Sequence, residues 1–397
     1  MCRKLLDDKR IWTAIYIVFG LMAIVSLLQG CRNAIGFSQD FQWDATKALV
    51  MRINPYLESL SPTKTEALLE FDAFFSQMEA NQFPSLLALL IPYTFLSPLV
   101  ARYTWLASNL LFTGGIIWLL RKTFMKKVDI KVFVLLALVM ISGTPYRNQL
   151  GVGQHTLFSF MFFLLAVYLI ERREVLGCNP KKINVPATLC LVICYFKYTL
   201  TVPLALYFVY KRKWKELCTS VAIHVVLTCA AAVWLRASVL DMIIQPLRVS
   251  SALVAEGGID FGALLQGSSF AYVLAVLLMI ALFVIALRMP AGREVLMISL
   301  LLLCSLIITY HRTYDFFVLI TVAALFYEEK QNKLLLALYV AVLFTVFYVL
   351  RVFSEAAPAL IFAGTLYYGF TMCIMILCIQ ACGRKTNNQR NGMEENG

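Results

Sequence analysis

The sequence predicts an all-α polytopic membrane protein with about ten full transmembrane helices, additional re-entrant or short helices, and a helical first outer loop. Two observations predict this class. Of the 397 residues, 60% are hydrophobic and only 15% are charged, whereas a soluble domain is about 45–50% apolar and about 25% charged. The apolar residues also occur in runs that suit spans of ~20 residues. This composition excludes a soluble enzyme, a disordered chain and a disulfide scaffold.

The charge distribution predicts how the chain is oriented. A net charge of +12 would suggest nucleic acid in a soluble protein, but here lysine and arginine cluster between apolar runs, which is the positive-inside pattern. We therefore expect no nucleic-acid partner, a lipid bilayer of the inner or plasma membrane as surroundings, and both termini in the cytoplasm. The 11 cysteines show neither a CxxC pair nor Cys/His ligand spacing, so no zinc site or disulfide framework is indicated.

The predicted elements form one integral membrane domain over residues 1–397. The first span, 11–28, leads into an acidic outer loop, 31–83, and then into an apolar element, 84–98, that three prolines interrupt. The later spans alternate between outer loops and basic inner loops, and the chain ends in a cytoplasmic tail, 383–397. These later spans are predicted at 99–120, 132–141, 156–170, 221–235, 270–287, 295–310, 316–327, 334–350 and 360–382.

Residues 185–209 interrupt this alternation, because basic residues flank the apolar segment on both sides and Lys197 lies in its middle. A single span here would invert every later loop. A re-entrant pair of half-helices, broken near Lys197, keeps all the basic loops inside. Irregular backbone is tolerated at that depth where protein or a water-filled cavity surrounds it. We favour the re-entrant pair, with a single span as the alternative.

Four clusters of polar residues depart from the apolar pattern, and ionisable groups at membrane depth are functional candidates. The first holds Asp40 and Asp44, just after the first span. A carboxylate there is suited to general-base chemistry, or it simply begins the amphipathic stretch that follows. The second cluster, 145–155, is either a substrate-binding loop or a solvated hairpin. Its candidate residues are Arg147, Gln154 and His155.

The other two clusters contain cations where the positive-inside pattern does not expect them. Lys197 has apolar neighbours on both sides, so its ammonium needs an anion such as a lipid phosphate or snorkels to the interface. The fourth cluster, 310–315, is either a chemical site or an interfacial belt with a local ion pair. Its candidate residues are His311, Arg312 and Asp315.

Taken in order over roughly residues 12–330, the clusters resemble glycosyltransferase family 87, a family of integral membrane enzymes in the GT-C superfamily. Thr156 departs from the family pattern, which often has asparagine there, and His311 stands earlier than the histidines of the family's Ser-Trp-x-His-His motif. The matching motifs are Asp40-Phe41 through Asn54-Pro55-Tyr56, Phe83-Pro84-Ser85 through Ser97-Pro98, Pro145, Arg147, Leu150, Gly153 and Gln154, Lys197-Tyr198-Thr199 with Lys213-Trp214-Lys215, and Tyr310 to Asp315.

The resemblance implies a GT-C-like inverting glycosyltransferase that acts on the outer face of the membrane. Its donor would be a polyprenyl-phosphate sugar, such as mannose or arabinofuranose, and its acceptor a glycan or glycolipid. The family's acid falls on Asp40, which as the catalytic base would deprotonate the acceptor hydroxyl. The transition state would resemble an oxocarbenium ion, as in inverting glycoside chemistry.

Cations would stabilise the phosphate that leaves, and the candidates for this role are Lys197, Arg147 and Arg312. The further candidates for binding the donor phosphate or the substrate are Gln154, His155, His311, Asp315 and Asp44. No cofactor is implied with certainty, and the sequence leaves a divalent metal open. The alternative function is a transporter or flippase for an anionic lipid or small solute, which would also need cations within the membrane.

Overall fold

The computed structural model describes residues 9–38, 41–70, 79–179, 182–252, 258–350 and 357–394. For residues 251, 252, 357 and 385–394 it describes the backbone alone. Within these ranges every regular element is a helix and there is no strand. This confirms the predicted all-α class.

Among the described residues before 213 there are twelve α-helices. Several start at residues that favour helix initiation, including Asn54, whose side chain accepts from two backbone N–H groups and is followed by proline at the first helical position. A 3-10 segment, Ala88–Phe95, follows α5, and another, Tyr195–Lys197, follows α10. The helices are α1 Lys9–Phe37, α2 Trp43–Val50, α3 Pro55–Leu60, α4 Glu66–Leu69, α5 Pro84–Leu87, α6 Pro98–Lys122, α7 Ile130–Ser142, α8 Thr144–Val152, α9 Thr156–Val175, α10 Val185–Cys194, α11 Tyr198–Leu204 and α12 Leu206–Tyr210.

The rest of the chain adds eight α-helices in the described residues. A 3-10 segment, Thr313–Val322, continues directly into α18, and a π-helical turn, Thr345–Val349, continues α19. These helices are α13 Trp214–Leu235, α14 Val239–Ala252, α15 Phe261–Leu264, α16 Phe270–Arg288, α17 Glu294–Ile308, α18 Ala323–Glu328, α19 Lys333–Phe344 and α20 Ala357–Glu394.

Six helices of the described chain are long and apolar enough to cross a membrane, or up to seven if the bent pair α7 and α8 counts as one span. Most of these helices expose large apolar side chains over much of their surface, as expected for helices that contact lipid. Shorter apolar helices occupy 84–95, 294–308 and 333–349. The six are Lys9–Phe37, Pro98–Lys122, Val185–Leu204, Trp214–Leu235, Phe270–Arg288 and Pro358–Arg384.

The helices connect two ends of the molecule. At one end, which we name the basic end, ion pairs join segments that are distant in sequence. At the other end, which we name the site end, hydrogen bonds join the predicted polar clusters. The basic end comprises 121–131, 171–179, 182, 211–216, 288–294 and 328–333. The site end comprises 37–38, 41–44, 79–83, 143–156, 195–199, 258–260 and 309–315.

Ten helical segments of the described ranges extend between these two ends, but only six helices, or seven with the bent pair, are long and apolar enough to cross a membrane, so the predicted number of about ten full spans stays a prediction. Helix α17 is buried along its whole length among them. The other nine surround it or pack against its neighbours. The ten segments are α1, α6, α7 with α8, α9, α13, α16, α17, 313–328, 333–349 and α20.

Residues 185–210 begin and end at the basic end. Just before the segment, the backbone N–H of Asn184 donates to Glu216 at 3.0 Å. Just after it, Lys213 Nζ lies 2.9 Å from Glu174 Oε1. A helix that crossed once would separate its two flanks by the thickness of the bundle, so these contacts exclude a single crossing.

The middle of the same segment reaches the site end. Lys197 Nζ donates to Gln154 Oε1 at 3.1 Å, and the backbone at Lys197 leaves the helical region, with φ −101° and ψ 67°. The chain therefore runs from the basic end to the site end along α10, breaks at Lys197, and runs back to the basic end along α11 and α12. This confirms the re-entrant pair that the basic flanks predicted.

Three boundaries differ from the predicted ones. Helix α1 continues to Phe37, because small residues such as Gly30 let it pack closely against α8, so the first loop begins after residue 37 rather than at 31. The cluster at 145–155 is largely the helix α8, bent 53° from α7, and not a hairpin. Pro145 stands in its first turn, where the missing N–H costs nothing. Helix α20 continues through the described part of the predicted tail.

Candidate functional site

A cleft of about 240 Å³ lies at the site end. Its lining comes from stretches that are far apart in sequence: the end of α1, the loop before α5, the end of α8, the break at Lys197, helix α14 and the segment after α17. The side chains that matter most below are Gln82, Gln154, Lys197, Thr199, Arg312 and Asp315. Three of the four polar clusters predicted from the sequence therefore meet at one cleft.

Asp315 is the buried anion of the cleft, with a side chain only 1% exposed. His311 Nδ1 lies 2.6 Å from Asp315 Oδ2, and Lys197 Nζ lies 3.6 Å from the same oxygen. Thr156 Oγ1 donates to the other oxygen, Oδ1. These partners compensate for burying the carboxylate, since a buried charge is stable only when paired and hydrogen-bonded. Asp315 thereby positions a lysine and a histidine.

Lys197 is the cation of the cleft. Its side chain is 12% exposed, so the ammonium is largely withdrawn from bulk solvent while it still lines the cleft. Gln154 Oε1 and Asp315 Oδ2 hold it, and the Tyr314 ring centroid lies 5.6 Å from Nζ. This arrangement answers the alternative raised by the sequence: Lys197 does not snorkel to the lipid interface but points into a polar cleft.

The helix break at Lys197 would leave backbone groups unsatisfied, and neighbouring hydroxyls compensate for them. The N–H of Lys197 donates to Ser159 Oγ at 2.9 Å. Thr201 Oγ1 lies 2.9 Å from the carbonyl oxygen of Cys194 and 3.0 Å from that of Lys197. Non-helical backbone at membrane depth requires such partners. The sequence around Lys197 therefore stabilises an irregular turn that presents the ammonium.

The turn between α8 and α9 positions Gln154. Gly153 ends α8 with φ 77°, and a Cβ there would collide with Ser38 Oγ, so this position requires glycine. Trp105 Nε1 donates to the carbonyl oxygen of Gly153 at 2.7 Å, and Gln149 Nε2 donates to that of Gln154 at 2.6 Å. These bonds leave the Gln154 side chain available to Lys197.

His155 is placed behind the cleft rather than in its lining. Its ring lies 4.3 Å from that of Phe196, and Nε2 lies 3.2 Å from the carbonyl oxygen of Phe41. Burial, together with the nearby charge of Lys197, lowers the pKa of His155 to about 3. The imidazole is therefore neutral, and it contacts the backbone that flanks the first cluster rather than a substrate.

The fourth cluster is held in place by a residue that the sequence did not single out. Asp260 Oδ2 accepts from the backbone N–H of His311 at 3.3 Å, and Asp260 Oδ1 caps helix α15 through the N–H of Ala263. Arg312 is exposed at the cleft, where its Nε donates to Tyr310 Oη at 2.7 Å. His311 is buried against Asp315, and its Nε2 has no hydrogen-bond partner within the described structure.

Besides His155 and His311, which lie behind the lining, two further predicted residues are not brought to the cleft. Arg147 lies on the face of α8 that meets α1, where its Nη1 donates to Gln29 Oε1 at 3.0 Å. Asp44 is buried in the first turn of α2, a favourable position for an anion in the helix dipole. Neither residue is part of the cleft lining.

Asp40, the predicted catalytic base, lies outside the described residues. Both of its described neighbours are anchored at the site end. Ser38 Oγ donates to the carbonyl oxygen of Val152 at 2.8 Å, and Phe41 is fully buried against Trp105 and the backbone contact of His155. Phe37, one turn earlier, lines the cleft itself.

No group of three or more histidine, cysteine, aspartate or glutamate side chains suited to a metal ion occurs among the residues that the structure describes. Asp260, His311 and Asp315 are close in the chain fold, but each carboxylate is already bound to protein donors. The described part of the cleft contains the ion pair between Lys197 and Asp315 and the hydrogen bonds around it.

The model of glycosyltransferase family 87 matches residues 84–312 of this chain, which is more than half of its length. The chain belongs to glycosyltransferase family 87. No curated protein matches it, and no solved structure matches it. Membership of family 87 makes the chain a glycosyltransferase of the membrane-embedded kind, as its sequence predicted.

The part matched to family 87 contains Gln154, Lys197 and Arg312 but neither Asp40 nor Asp315. Sequence reasoning also missed cleft residues that carry no recognisable signal. Gln82 and Thr199 stand beside apolar runs, like many interfacial polar residues. Asp260, which supports the fourth cluster without lining the cleft, lies in a long loop. Thr156, which donates to Asp315, gave the one usable signal, because it stands two positions after Gln154, where the family often has asparagine.

Proposed function

We propose that this member of family 87 is an inverting glycosyltransferase that moves a sugar, such as mannose or arabinofuranose, from a polyprenyl phosphate to a glycan or glycolipid. The observation that supports it most is the ammonium of Lys197, which a helix break holds in a polar cleft inside an apolar bundle. An enzyme of ordinary soluble donors needs no such cation within the membrane region. An enzyme whose donor is a lipid-linked phosphate does need a cation there.

The cations account for the chemistry of the donor. Lys197 is fixed by Gln154 and Asp315, and exposed Arg312 lines the same cleft. Negative charge grows on the phosphate as its bond to the sugar breaks, so cations that are already in place stabilise the transition state without reorganisation. Arg147 is not part of this proposal, because the structure places it away from the cleft.

Asp40 is our proposed base. Its carboxylate accepts the proton of the acceptor hydroxyl, and the acceptor oxygen forms a bond to the anomeric carbon. The bond between that carbon and the phosphate oxygen breaks, and its electron pair leaves with polyprenyl phosphate. Attack from the face opposite the leaving group inverts the anomeric configuration. Asp315 is unsuited to this task, because both of its oxygens already accept from protein groups.

We further propose that the cleft opens on the extracytoplasmic side of the inner or plasma membrane. The basic end carries most of the lysines and arginines of the described loops, and such loops remain in the cytoplasm. The cleft lies at the opposite end of the same helices. A donor with its sugar on the outer leaflet and an acceptor in the cell envelope fit this orientation.

The substitution Asp40→Asn tests the proposal. The purified chain is incubated with polyprenyl-phosphate mannose and polyprenyl-phosphate arabinofuranose, and transfer to glycolipid acceptors is measured beside binding of the donor. We expect the variant to bind donor as the wild type does while transfer falls by about 10²–10⁴-fold, the range for loss of a general base.

The matched control is Asp241→Asn. Asp241 is an exposed carboxylate near the start of α14 that accepts from Ser238 and lies outside the cleft lining. It should transfer sugar at the wild-type rate. Full transfer by Asp40→Asn contradicts the assignment of the base. Movement of intact donor across vesicles, with no sugar consumed by the wild type, would instead favour a flippase.

A further inference from the structure

Part of the cleft lining is neutral, and no step described so far uses it. The loop before α5 contributes Asn81 and Gln82, and the first turn of α11 contributes Tyr198 and Thr199. Ser250 of α14 completes this region, with its Oγ 3.1 Å from Tyr198 Oη. Amides and hydroxyls lie here next to Lys197, the proposed phosphate ligand.

Two of these lining residues hold polar atoms that the fold leaves without a partner. Gln82 is 5% exposed, and its Oε1 has no hydrogen-bond partner in the described structure. Thr199 Oγ1 is likewise buried and without a partner there. Most buried polar atoms in proteins are hydrogen-bonded, so each exception requires an explanation such as a missing ligand.

The Gln82 side chain and the backbone around Thr199 are held by bonds that do not involve the unpaired atoms. Gln82 Nε2 donates to Asn81 Oδ1 at 3.1 Å, and the carbonyl oxygen of Gln82 accepts from buried Tyr56 Oη at 2.7 Å. Thr199 lies two residues after Lys197, whose N–H is fixed by Ser159, and the carbonyl oxygen of Thr199 accepts from Thr309 Oγ1 at 3.5 Å. The unpaired acceptor and hydroxyl are therefore preorganised, which lowers the entropic cost of binding a ligand.

The chemistry of these atoms fits the hydroxyls of a sugar. A sugar hydroxyl can donate to an amide oxygen and can both donate to and accept from a threonine hydroxyl. The volume of about 240 Å³ lies below the ~300–1,000 Å³ of sites for drug-sized ligands, which suits one sugar ring beside its phosphate. A site built to bind a hydroxyl strongly rejects an analogue that lacks it.

We propose that Gln82 and Thr199 recognise the hydroxyls of the transferred sugar and so determine which donor this chain accepts. The inference rests on the proposed function, since it takes the phosphate of the donor to lie at Lys197. It assigns a role to Gln82, which lies outside the motifs of the family resemblance, and to Thr199, which lies in one of them without an assigned role. It also places the determinants of sugar choice on the loop before α5 and on the return helix of the re-entrant pair.

The test compares donors with and without single hydroxyls. Gln82→Met and Thr199→Val keep the shape of each side chain and remove the polar atom. The probes are polyprenyl-phosphate mannose, polyprenyl-phosphate arabinofuranose and their monodeoxy analogues. For each of the two residues, one monodeoxy analogue lacks the sugar hydroxyl that the residue binds. The wild type should have a kcat/KM about tenfold higher for the parent donor than for that analogue, as the loss of one hydrogen bond predicts. Each variant should lose that preference and use the parent donor about tenfold less well.

A thermal measurement on the donor-free protein separates recognition from a structural role. An apolar group of the same shape removes the cost of an unpaired polar atom, so Gln82→Met and Thr199→Val should unfold at the wild-type Tm or above it. Gln245→Met is the matched control, because Gln245 accepts from Asn54 outside the cleft. It should lower the Tm and leave the preference among donors unchanged.

The outcomes distinguish the two proposals. If the wild type consumes both parent donors poorly or not at all, the donor class proposed above fails. If it consumes a parent donor and the variants keep the wild-type preference among the analogues, the sugar subsite is overturned while the transferase stands. A drop in Tm for both variants as large as that of Gln245→Met would show that their polar atoms serve the fold, which also overturns the subsite.

Discussion

The two ends of this molecule use the same charged residues in opposite ways. At the basic end, Lys126 Nζ lies 2.6 Å from Glu171, and the lysine side chain is 57% exposed. At the site end, Lys197 lies 3.6 Å from Asp315, and both side chains are almost fully buried. The shorter pair is therefore the one that water screens, and the longer pair is the one whose loss would leave a charge uncompensated.

This difference shows where function resides in an apolar helical bundle. At the basic end, the charged residues orient the chain in the membrane and form exposed ion pairs between neighbouring segments. The site end contains a helix break and polar atoms without hydrogen-bond partners in the described structure. Such irregular features reduce stability and persist where a ligand requires them. The contrast predicts large effects of substitution at one end and small effects at the other.

The largest effect should follow from Lys197→Met. Without the Lys197 ammonium, the re-entrant pair supplies no cation to stabilise the leaving phosphate. The rate of sugar transfer should therefore fall by about 10²–10³-fold, the range for loss of one transition-state donor. Lys126→Met at the basic end should transfer sugar at the wild-type rate. Initial rates with a polyprenyl-phosphate sugar at saturating acceptor measure both.

A folding control accompanies this prediction, because Lys197→Met also leaves Asp315 without its cation. The double variant Lys197→Met, Asp315→Asn removes both charges and should fold. If that double variant transferred sugar at the wild-type rate, the ammonium would have no role in transfer and the contrast between the two ends would be lost.

A smaller effect, on stability, should follow from Asp315→Asn. Removing one partner of a buried pair leaves Lys197 as an uncompensated charge, which costs about 3–5 kcal/mol of unfolding free energy. Adding Lys197→Met to this variant should restore much of the loss, because the two changes are coupled through direct contact. Thermal or denaturant unfolding in detergent measures the three variants, and simple additivity of the two single losses would refute the coupling.

The sequence predicted much of this site, because its strongest signals were charges in apolar surroundings. Basic residues on both flanks of 185–209 predicted the re-entrant pair, and the break falls at Lys197 as expected. Basic loops at alternate turns of the chain also predicted that the helices extend between a basic end and an opposite end. Gln154, Lys197 and Asp315 meet because each interrupts an apolar pattern at the same end.

What the sequence could not provide was the direction of individual side chains. Arg147 was expected at the phosphate, but the stretch 145–155 is a helix, and its register turns Arg147 toward Gln29 of α1. In a stretch interpreted as a loop, helical periodicity cannot be used to predict which way a side chain points. Gln82 and Thr199 were missed for the opposite reason, because a neutral polar residue beside an apolar run has no unusual charge to mark it.

The smallest effect should come from Glu174→Gln at the basic end. Glu174 Oε1 lies 2.9 Å from Lys213 and Oε2 lies 3.3 Å from Lys211, but the glutamate side chain is 40% exposed. Exposed pairs contribute about 0–1 kcal/mol, so unfolding should shift by less than that and transfer should not change. The loss should also vanish when salt rises from about 0.1 M to about 1 M, where the screening length falls from ~10 Å to ~3 Å. The loss in Asp315→Asn should persist at about 1 M salt, because its charges are buried. Equal salt sensitivity of the two variants would mean that water reaches both ends alike.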